Sequence, residues 1–281
     1  MTILITGHKG FIGSNLVKKL SDYTIIGVDL KDGNNILDSN YLDALFEYYN
    51  VDVVIHLAAI PGVGYSVLNS EEVLSNNIIG FDTLVKTSIK HGVKHFIYAS
   101  SSSVYGDDGQ LKSPYAVSKA TNELQAQVYS NLSDMKFTGL RFFTVYGEGI
   151  RQDLAISKFI KAMENDEPIH IYGDGNQRRD FTYVDDITEA IKTIVESDKK
   201  WKNEVFDVGY GSSISVNFLI TILKSIINPN FNKIEHDGEK HYDVKTTLAN
   251  PTKLYEWFGF RPKYDIKTGL ETWLNNIFIK K

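Results

Sequence analysis

The first thirty residues constrain the chain most. Thr2-Ile3-Leu4-Ile5-Thr6 is a short apolar, β-branched run, the composition of a buried strand. It stops at Gly7-His8-Lys9-Gly10-Phe11-Ile12-Gly13 and continues through Ser14 to Leu20. Phe11, Ile12, Leu16, Val17 and Leu20 recur with the period of one helix face. A strand, a glycine turn and a helix in that order aim backbone amides and a helix N-terminus at a pyrophosphate. The glycines are spaced three and three, not the commoner two and three. Tyr23 to Val28 reads as a second strand ending in Asp29, sixteen residues after Gly13. An acid there meets the adenosine ribose hydroxyls of a bound dinucleotide and repels a 2′-phosphate. NAD is therefore expected over NADP, although Lys31 stands close by with the opposite charge.

The same alternation continues. Asp38 to Tyr49 reads as a helix with Tyr41, Leu42, Leu45 and Phe46 on its apolar face. Asp52 to Ala59 is apolar enough for a strand buried on both faces and ends in Leu57, Ala58 and Ala59. Small residues at that end suit close approach to a cofactor; His56 is read as structural. Ser70 to His91 has a helical pattern, and Lys94 to Ala99 reads as the next strand. The helix beginning near Tyr115 places Val117, Ala120, Leu124 and Val128 at core spacing, and Phe137 to Phe143 is a further strand. Strands alternating with helices predict an α/β fold built on a doubly wound parallel sheet.

Ligands bind at the carboxyl edge of such a sheet. The strand ending at Ala99 delivers Ser100-Ser101-Ser102-Ser103 there, followed by Ser113-Pro114-Tyr115-Ala116-Val117-Ser118-Lys119. With Ser113 capping and Pro114 in the first turn, Tyr115 and Lys119 share a helix face one turn apart. A free phenol titrates near pH ~10 and is a poor base at neutrality. A neighbouring ammonium favours the phenolate. With a serine hydroxyl sharing the substrate oxygen, the pair can remove an alcohol proton while the carbon is oxidised.

Composition removes other chemistries. The 281 residues contain no cysteine, so disulfides, thiolate zinc sites and cysteine nucleophiles are excluded. No metal site is expected. The net charge of −5 gives no bulk attraction to nucleic acid or to an anionic membrane surface. No apolar run reaches transmembrane length. Met1 leads directly into a strand, with no signal-peptide pattern, and a cytoplasmic location is expected.

Taken together, the chain resembles the nucleotide-sugar epimerases of the extended short-chain dehydrogenase/reductase family. The resemblance rests on Gly7-x-x-Gly10-x-x-Gly13, Asp29, His56-Leu57-Ala58-Ala59, the serine run, Tyr115 with Lys119, and Arg141-Phe142-Phe143-Thr144-Val145-Tyr146-Gly147. It continues through Tyr172-Gly173-Asp174-Gly175 and Arg179-Asp180-Phe181-Thr182-Tyr183-Val184-Asp185-Asp186.

The resemblance implies a Rossmann-type NAD-binding domain over residues 1–165 and a smaller α/β substrate domain over 166–281, with segments interwoven. It implies that Gly7, Gly10, Phe11, Ile12, Gly13, Asp29, Asn35, Ile36, Leu57, Ala58 and Ala59 hold NAD together with Tyr115 and Lys119. Asn35 stands where relatives carry an adenine-binding aspartate. Ser101, Tyr115 and Lys119 are the implied catalytic group, acting by transient oxidation at C4 of a UDP-sugar. Tyr172 would lie against the base. Arg179 would hold the diphosphate, with Lys240 replacing a second arginine. A homodimer through the helices near 70–91 and 115–131 is also implied.

Within the family, 4,6-dehydratases carry an Asp–Glu pair where this chain has Ser102 and Ser103, and uronate decarboxylases carry Glu at the Ser103 position. The 3,5-epimerase and fucose-synthase relatives need a cysteine. A 4-epimerase remains, most like the UDP-glucuronate 4-epimerases. There Ser102, Ser103, Thr144 and Arg151 would surround the sugar carboxylate, because a buried carboxylate needs a cation and several donors. The alternatives are a UDP-glucose/UDP-galactose or N-acetyl-sugar 4-epimerase and, more remotely, a non-catalytic NAD-binding protein.

Overall fold

The computed structural model describes residues 1–240 and 242–279. Eleven strands run through these described residues. They are β1 (Thr2–Thr6), β2 (Thr24–Val28), β3 (Val53–His56), β4 (His95–Ser101), β5 (Lys136–Phe142), β6 (Thr144–Tyr146), β7 (Ile169–Tyr172), β8 (Arg178–Tyr183), β9 (Asn203–Val208), β10 (Ser213–Ser215) and β11 (Ile234–Asp237). Six form one sheet in the order β2-β1-β3-β4-β5-β9. Every pair in it is parallel.

Side-chain alternation explains why this sheet is covered on both faces. Ile3, Ile5, Ile55, Ile97 and Leu140 enter one core, while Leu4, Val54, Phe96, Tyr98 and Phe137 enter the other. The helices Phe11–Lys19 and Val184–Val195 pack together, as do Ser39–Tyr48 and Gly80–Lys90. The chain leaves β1 toward β2 and then returns past β1 to β3, so the strand order reverses beside β1. A crevice opens at such a reversal, outside the carboxyl ends of the strands.

The second half of the chain returns to this sheet. β9 pairs with β5 from Phe137↔Asn203 to Phe142↔Val208. The remaining strands make two small sheets, β10-β8-β6 and β11-β7. Asp180 on β8 fastens the first of these. Its buried carboxylate accepts from the backbone of Tyr210 (3.0 Å), Gly211 (2.9 Å) and Ala249 (3.1 Å).

Two expectations about helices change. The stretch 70–91 is not one regular helix: Ser70–Leu74 and Gly80–Lys90 flank a wide π-type turn over Ser75–Ile79. Within it, the Asn77 side chain accepts from Ile60 N at 2.8 Å and donates to Ile60 O at 3.1 Å. The helix therefore widens where it supports the crevice wall. On Pro114–Leu132 the buried side chains are Ala116, Ser118, Lys119, Asn122, Ala126 and Ser130. Val117, Leu124 and Val128, expected in the core, are 42%, 62% and 55% exposed. The small and polar face of this helix lies inward, and its apolar stripe faces outward.

Candidate active site

The carboxyl edge encloses one large cleft of about 920 Å³, near the upper end of the range for ligand pockets. Four segments at the carboxyl ends of β1, β3, β4 and β5 wall it: Gly7 with Lys9 to Ser14, Leu57 to Pro61, Ala99 to Ser103 and Phe142 to Val145. The far side is closed by Gly149 to Gln152, Arg179, the segment 242–244 and Thr247.

The glycine turn has the shape that a pyrophosphate requires. Gly7 adopts φ +73°, and a Cβ there would lie 2.8 Å from Ala58 N. A Cβ on Gly13 would lie 2.1 Å from Gly7 O. Neither position admits a side chain, so bare backbone faces the cleft at the Phe11–Lys19 helix N-terminus. Asp29, at the end of β2, accepts from Lys31 N and Lys9 N at 2.9 and 3.0 Å. Those bonds fix its carboxylate on the cleft wall. Lys9 and Lys31 line the same wall, but Lys9 pairs with Asp32 and Lys31 Nζ donates to Lys9 O. The donor set, the glycine cradle and the ribose-facing acid fit NAD.

Ser113 caps the next helix as expected: its Oγ accepts from Ala116 N at 3.1 Å, and Pro114 occupies the first turn. Tyr115 and Lys119 share the cleft face, with Lys119 Nζ 5.9 Å from the Tyr115 ring centroid. Lys119 is 2% exposed and donates to Ala99 O at 2.8 Å. Burial pulls its pKa down to about 8. Burial raises the Tyr115 phenol, while a hydrogen bond from Ser101 and the Arg151 charge act in the lowering direction. The groups favouring the phenolate are thus Ser101 and Arg151. Ser101 Oγ also accepts from Ser103 N at 3.1 Å and lies 3.1 Å from Ser103 Oγ, which folds the serine run into a tight turn.

Of the residues singled out in the sequence, Gly7, Gly10, Phe11, Ile12, Gly13, Asp29, Ile36, Leu57, Ala58 and Ala59 line the cleft. Ser101, Ser102, Ser103, Tyr115, Lys119, Thr144, Arg151 and Arg179 line it too. Arg151 meets Asp153 through Nε at 2.9 Å and Nη2 at 2.5 Å, and Arg179 is ion-paired with Asp243. Three expected residues stand off the wall. The Asn35 side chain is turned onto Leu37 N at 2.9 Å. Tyr172 is 40% exposed, and Lys240 Nζ sits 3.3 Å above its ring centroid; cation–π attraction holds the two together beside the cleft. His56 is structural: it is 2% exposed, bonded to Thr6 Oγ1 at 2.7 Å, and its pKa falls to about 3 through burial and the Lys119 charge.

Sequence reasoning missed Tyr242 and Asp243, which reach the wall from a segment far along the chain. No local pattern marks them. It also missed Glu123, four residues beyond Lys119, whose carboxylate accepts from Ser100 Oγ and from Arg141.

Residues 3–209 match the NAD dependent epimerase/dehydratase family. A UDP-glucuronate 4-epimerase of Thermodesulfobacterium geofontis is 34% identical, with 97% of this chain and 94% of that protein covered. The crystal structure of a UDP-glucuronic acid 4-epimerase from Bacillus cereus, in complex with UDP-glucuronic acid and NAD, superposes with a TM-score of 0.91. It is 32% identical and covers 100% of both chains. A UDP-glucose 4-epimerase from Thermotoga maritima, with UDP-glucose, gives a TM-score of 0.93 at 30% identity, covering 100% of this chain and 99% of that one. With its glycine cradle, its serine turn and its Tyr115–Lys119 pair set at one sheet edge, the chain belongs to the NAD dependent epimerase/dehydratase family.

Proposed function

We propose that the protein is an NAD-dependent UDP-sugar 4-epimerase that interconverts UDP-glucuronate and UDP-galacturonate. One observation carries the choice of sugar. Ser102, Ser103, Thr144 and Arg151 line the same cleft as Ser101 and Tyr115. Three hydroxyls and a guanidinium at a wall suit a carboxylate. Held firmly, that carboxylate also resists loss as CO2 from a 4-keto acid.

Bound NAD supplies the oxidant for C4 and then the reductant, and is regenerated in each turnover. Tyr115 accepts the proton of the 4-hydroxyl and later returns it. Ser101 shares the same oxygen and acts on the phenol in the direction that favours the phenolate. Lys119, on the Tyr115 face of the helix, keeps a cation near the phenol and is positioned for the nicotinamide ribose. Gly7, Gly10 and Gly13 with the adjoining amides carry the pyrophosphate, and Asp29 the adenosine ribose. Arg179 takes the substrate diphosphate once Asp243 yields it, by bidentate contact.

The test is an NMR assay of the sugar ring protons with UDP-glucuronate, UDP-glucose and UDP-N-acetylglucosamine, with and without added NAD. Conversion of UDP-glucuronate alone supports the reading. The second reading, a neutral-sugar 4-epimerase, is favoured by the existing Arg151–Asp153 pair and the apolar wall of Ile60, Pro61 and Val63. Conversion of the neutral sugars with uronate inert selects it. Arg151→Ala abolishes uronate turnover and spares a neutral sugar; equal loss on both refutes the carboxylate role.

A homodimer is also part of the proposal. Ile79, at the end of the π-type turn, and Leu124 and Leu132, on the helix Pro114–Leu132, are 55%, 62% and 72% exposed. Exposed apolar residues on these neighbouring segments suit a partner surface. No described helix is long and apolar enough to cross a membrane.

A further inference from the structure

A continuous polar chain runs behind the serine turn, and of its members Ser100 alone lines the cleft. It begins on the catalytic helix at Glu123, one turn beyond Lys119. The Glu123 carboxylate accepts from Ser100 Oγ at 2.5 Å and from Arg141 Nε and Nη2 at 2.9 and 2.7 Å. The third arm of Arg141, Nη1, donates to the Tyr105 hydroxyl at 2.7 Å. Tyr105 in turn donates to Asp207 Oδ1 at 2.6 Å. The second oxygen of Asp207 accepts from Asn250 N at 3.0 Å.

Both ends of this chain reach functional segments. Ser100 precedes Ser101. Asn250 closes the segment that carries Thr247 on the cleft wall and, a little earlier, Asp243 against Arg179. A second tie runs in parallel, from Lys245 N to Asp107 Oδ1 at 3.3 Å. A partly buried ion pair costs desolvation and is a poor source of net stability. A bidentate guanidinium fork is directional, however, and fixes the groups at its ends. Asp207 is 9% exposed and joins the two segments through its two oxygens.

We propose that Tyr105 and Asp207 are positioning residues for the reaction. They set the separation between the serine turn, where C4 is handled, and the segment whose Asp243 pairs with Arg179, the residue proposed for the diphosphate. The proposal rests on the UDP-sugar reading above. A sugar that must turn over between two proton transfers needs both ends of the cleft held at fixed spacing. A misplacement of ~1 Å can cost about a hundredfold in rate.

Tyr105→Phe keeps the ring beside Phe143, 6.4 Å between centroids, and removes the hydroxyl between Arg141 and Asp207. Three readouts apply to the holoenzyme: steady-state kinetics, UDP affinity by calorimetry, and amide hydrogen exchange of peptides covering 98–106 and 242–251. The variant should lose about tenfold or more in kcat, keep its UDP affinity within twofold, and exchange faster in both peptides. Asp207→Asn should behave alike, and the double variant should lose no more than the worse single one, because the residues act as one unit. Unchanged kcat with unchanged exchange overturns the proposal. So does a kcat loss matched by equal losses of UDP affinity and Tm, or additive losses in the double variant. If the wild-type enzyme converts no UDP-sugar, the functional reading fails. Unchanged exchange in Tyr105→Phe then still refutes the tie, and faster exchange in both peptides upholds it.

Discussion

Lys119→Met should make the protein more stable at neutral pH while removing its activity. Lys119 is 2% exposed, so little solvent screens its charge. Its pKa falls from 10.5 to about 8 through burial. At 1.36 kcal/mol per pKa unit this is a penalty of about 3 kcal/mol for holding the ammonium in the folded state. The opposing term is the bond from Nζ to Ala99 O at 2.8 Å. Leaving that carbonyl short of a partner costs about 1–3 kcal/mol. The difference is a net gain of about 1 kcal/mol, or ~2–4 °C in Tm for a chain of this size.

The sign of the pH dependence makes the prediction sharper. As pH rises the folded protein releases this proton first, near 8, and the unfolded chain only near 10.5. Wild-type stability at this site is therefore lowest below pH 8 and recovers between about 8 and 10.5. The advantage of Lys119→Met should shrink over that window and invert at its top. Differential scanning calorimetry from pH 7 to 10.5 tests this, on protein freed of dinucleotide because bound NAD adds its own stabilisation. A variant less stable than wild type at pH 7, or a gap that ignores pH, refutes the account of Lys119 as a penalised buried cation. Retained turnover would refute its catalytic placement. Gained stability with lost activity is the usual trade at a functional site.

Other outcomes follow from the same geometry. Tyr115→Phe should abolish sugar conversion in the NMR assay and leave Tm within a few degrees, since the ring remains. Gly13→Ala forces a Cβ to 2.1 Å from Gly7 O; it should deplete NAD from the purified protein, read by dinucleotide absorbance after denaturation, and lower Tm. His56 stays neutral in the folded state down to about pH 3, whereas an unfolded histidine takes its proton near 6.5. Stability should thus fall as pH drops through that interval, and His56→Gln should move the acid-unfolding midpoint downward in circular dichroism. Leu124→Glu, on a side chain 62% exposed, should yield monomers by sedimentation velocity if the helix stripe is the dimer face.

The parts of the molecule legible in the sequence are those set by local geometry. The glycine turn is readable because Gly13 is demanded by Gly7, six residues earlier in the same turn. The parallel sheet is readable because strands buried on both faces must be apolar throughout. Asn35, Tyr172 and Lys240 are expected at the site from resemblance alone, and their placement depends on contacts that resemblance does not specify. Asn35 is turned onto Leu37, and Lys240 onto Tyr172. Tyr242 and Asp243 reach the cleft through the fold of the whole second half, about which spacing says nothing.

The helix Pro114–Leu132 shows the limit most clearly. Periodicity identifies an apolar stripe, but not what that stripe faces. In a chain of this class the inward face must carry the chemistry: Ser118, Lys119, Asn122 and Glu123 are polar, and Ala116 and Ala126 are small enough for close approach to the sheet. Such a face cannot also supply large apolar side chains. Periodicity alone therefore places this helix inside out, whereas Val117, Leu124 and Val128 are exposed. A helix that turns polar residues such as Lys119 toward a cleft inverts the ordinary rule of apolar inside and polar outside. Its outward apolar residues are the face on which the proposed dimer would draw, beside the helix face turned to the cleft. Substitutions on the two faces should separate cleanly: outward changes act on association, and inward ones on turnover.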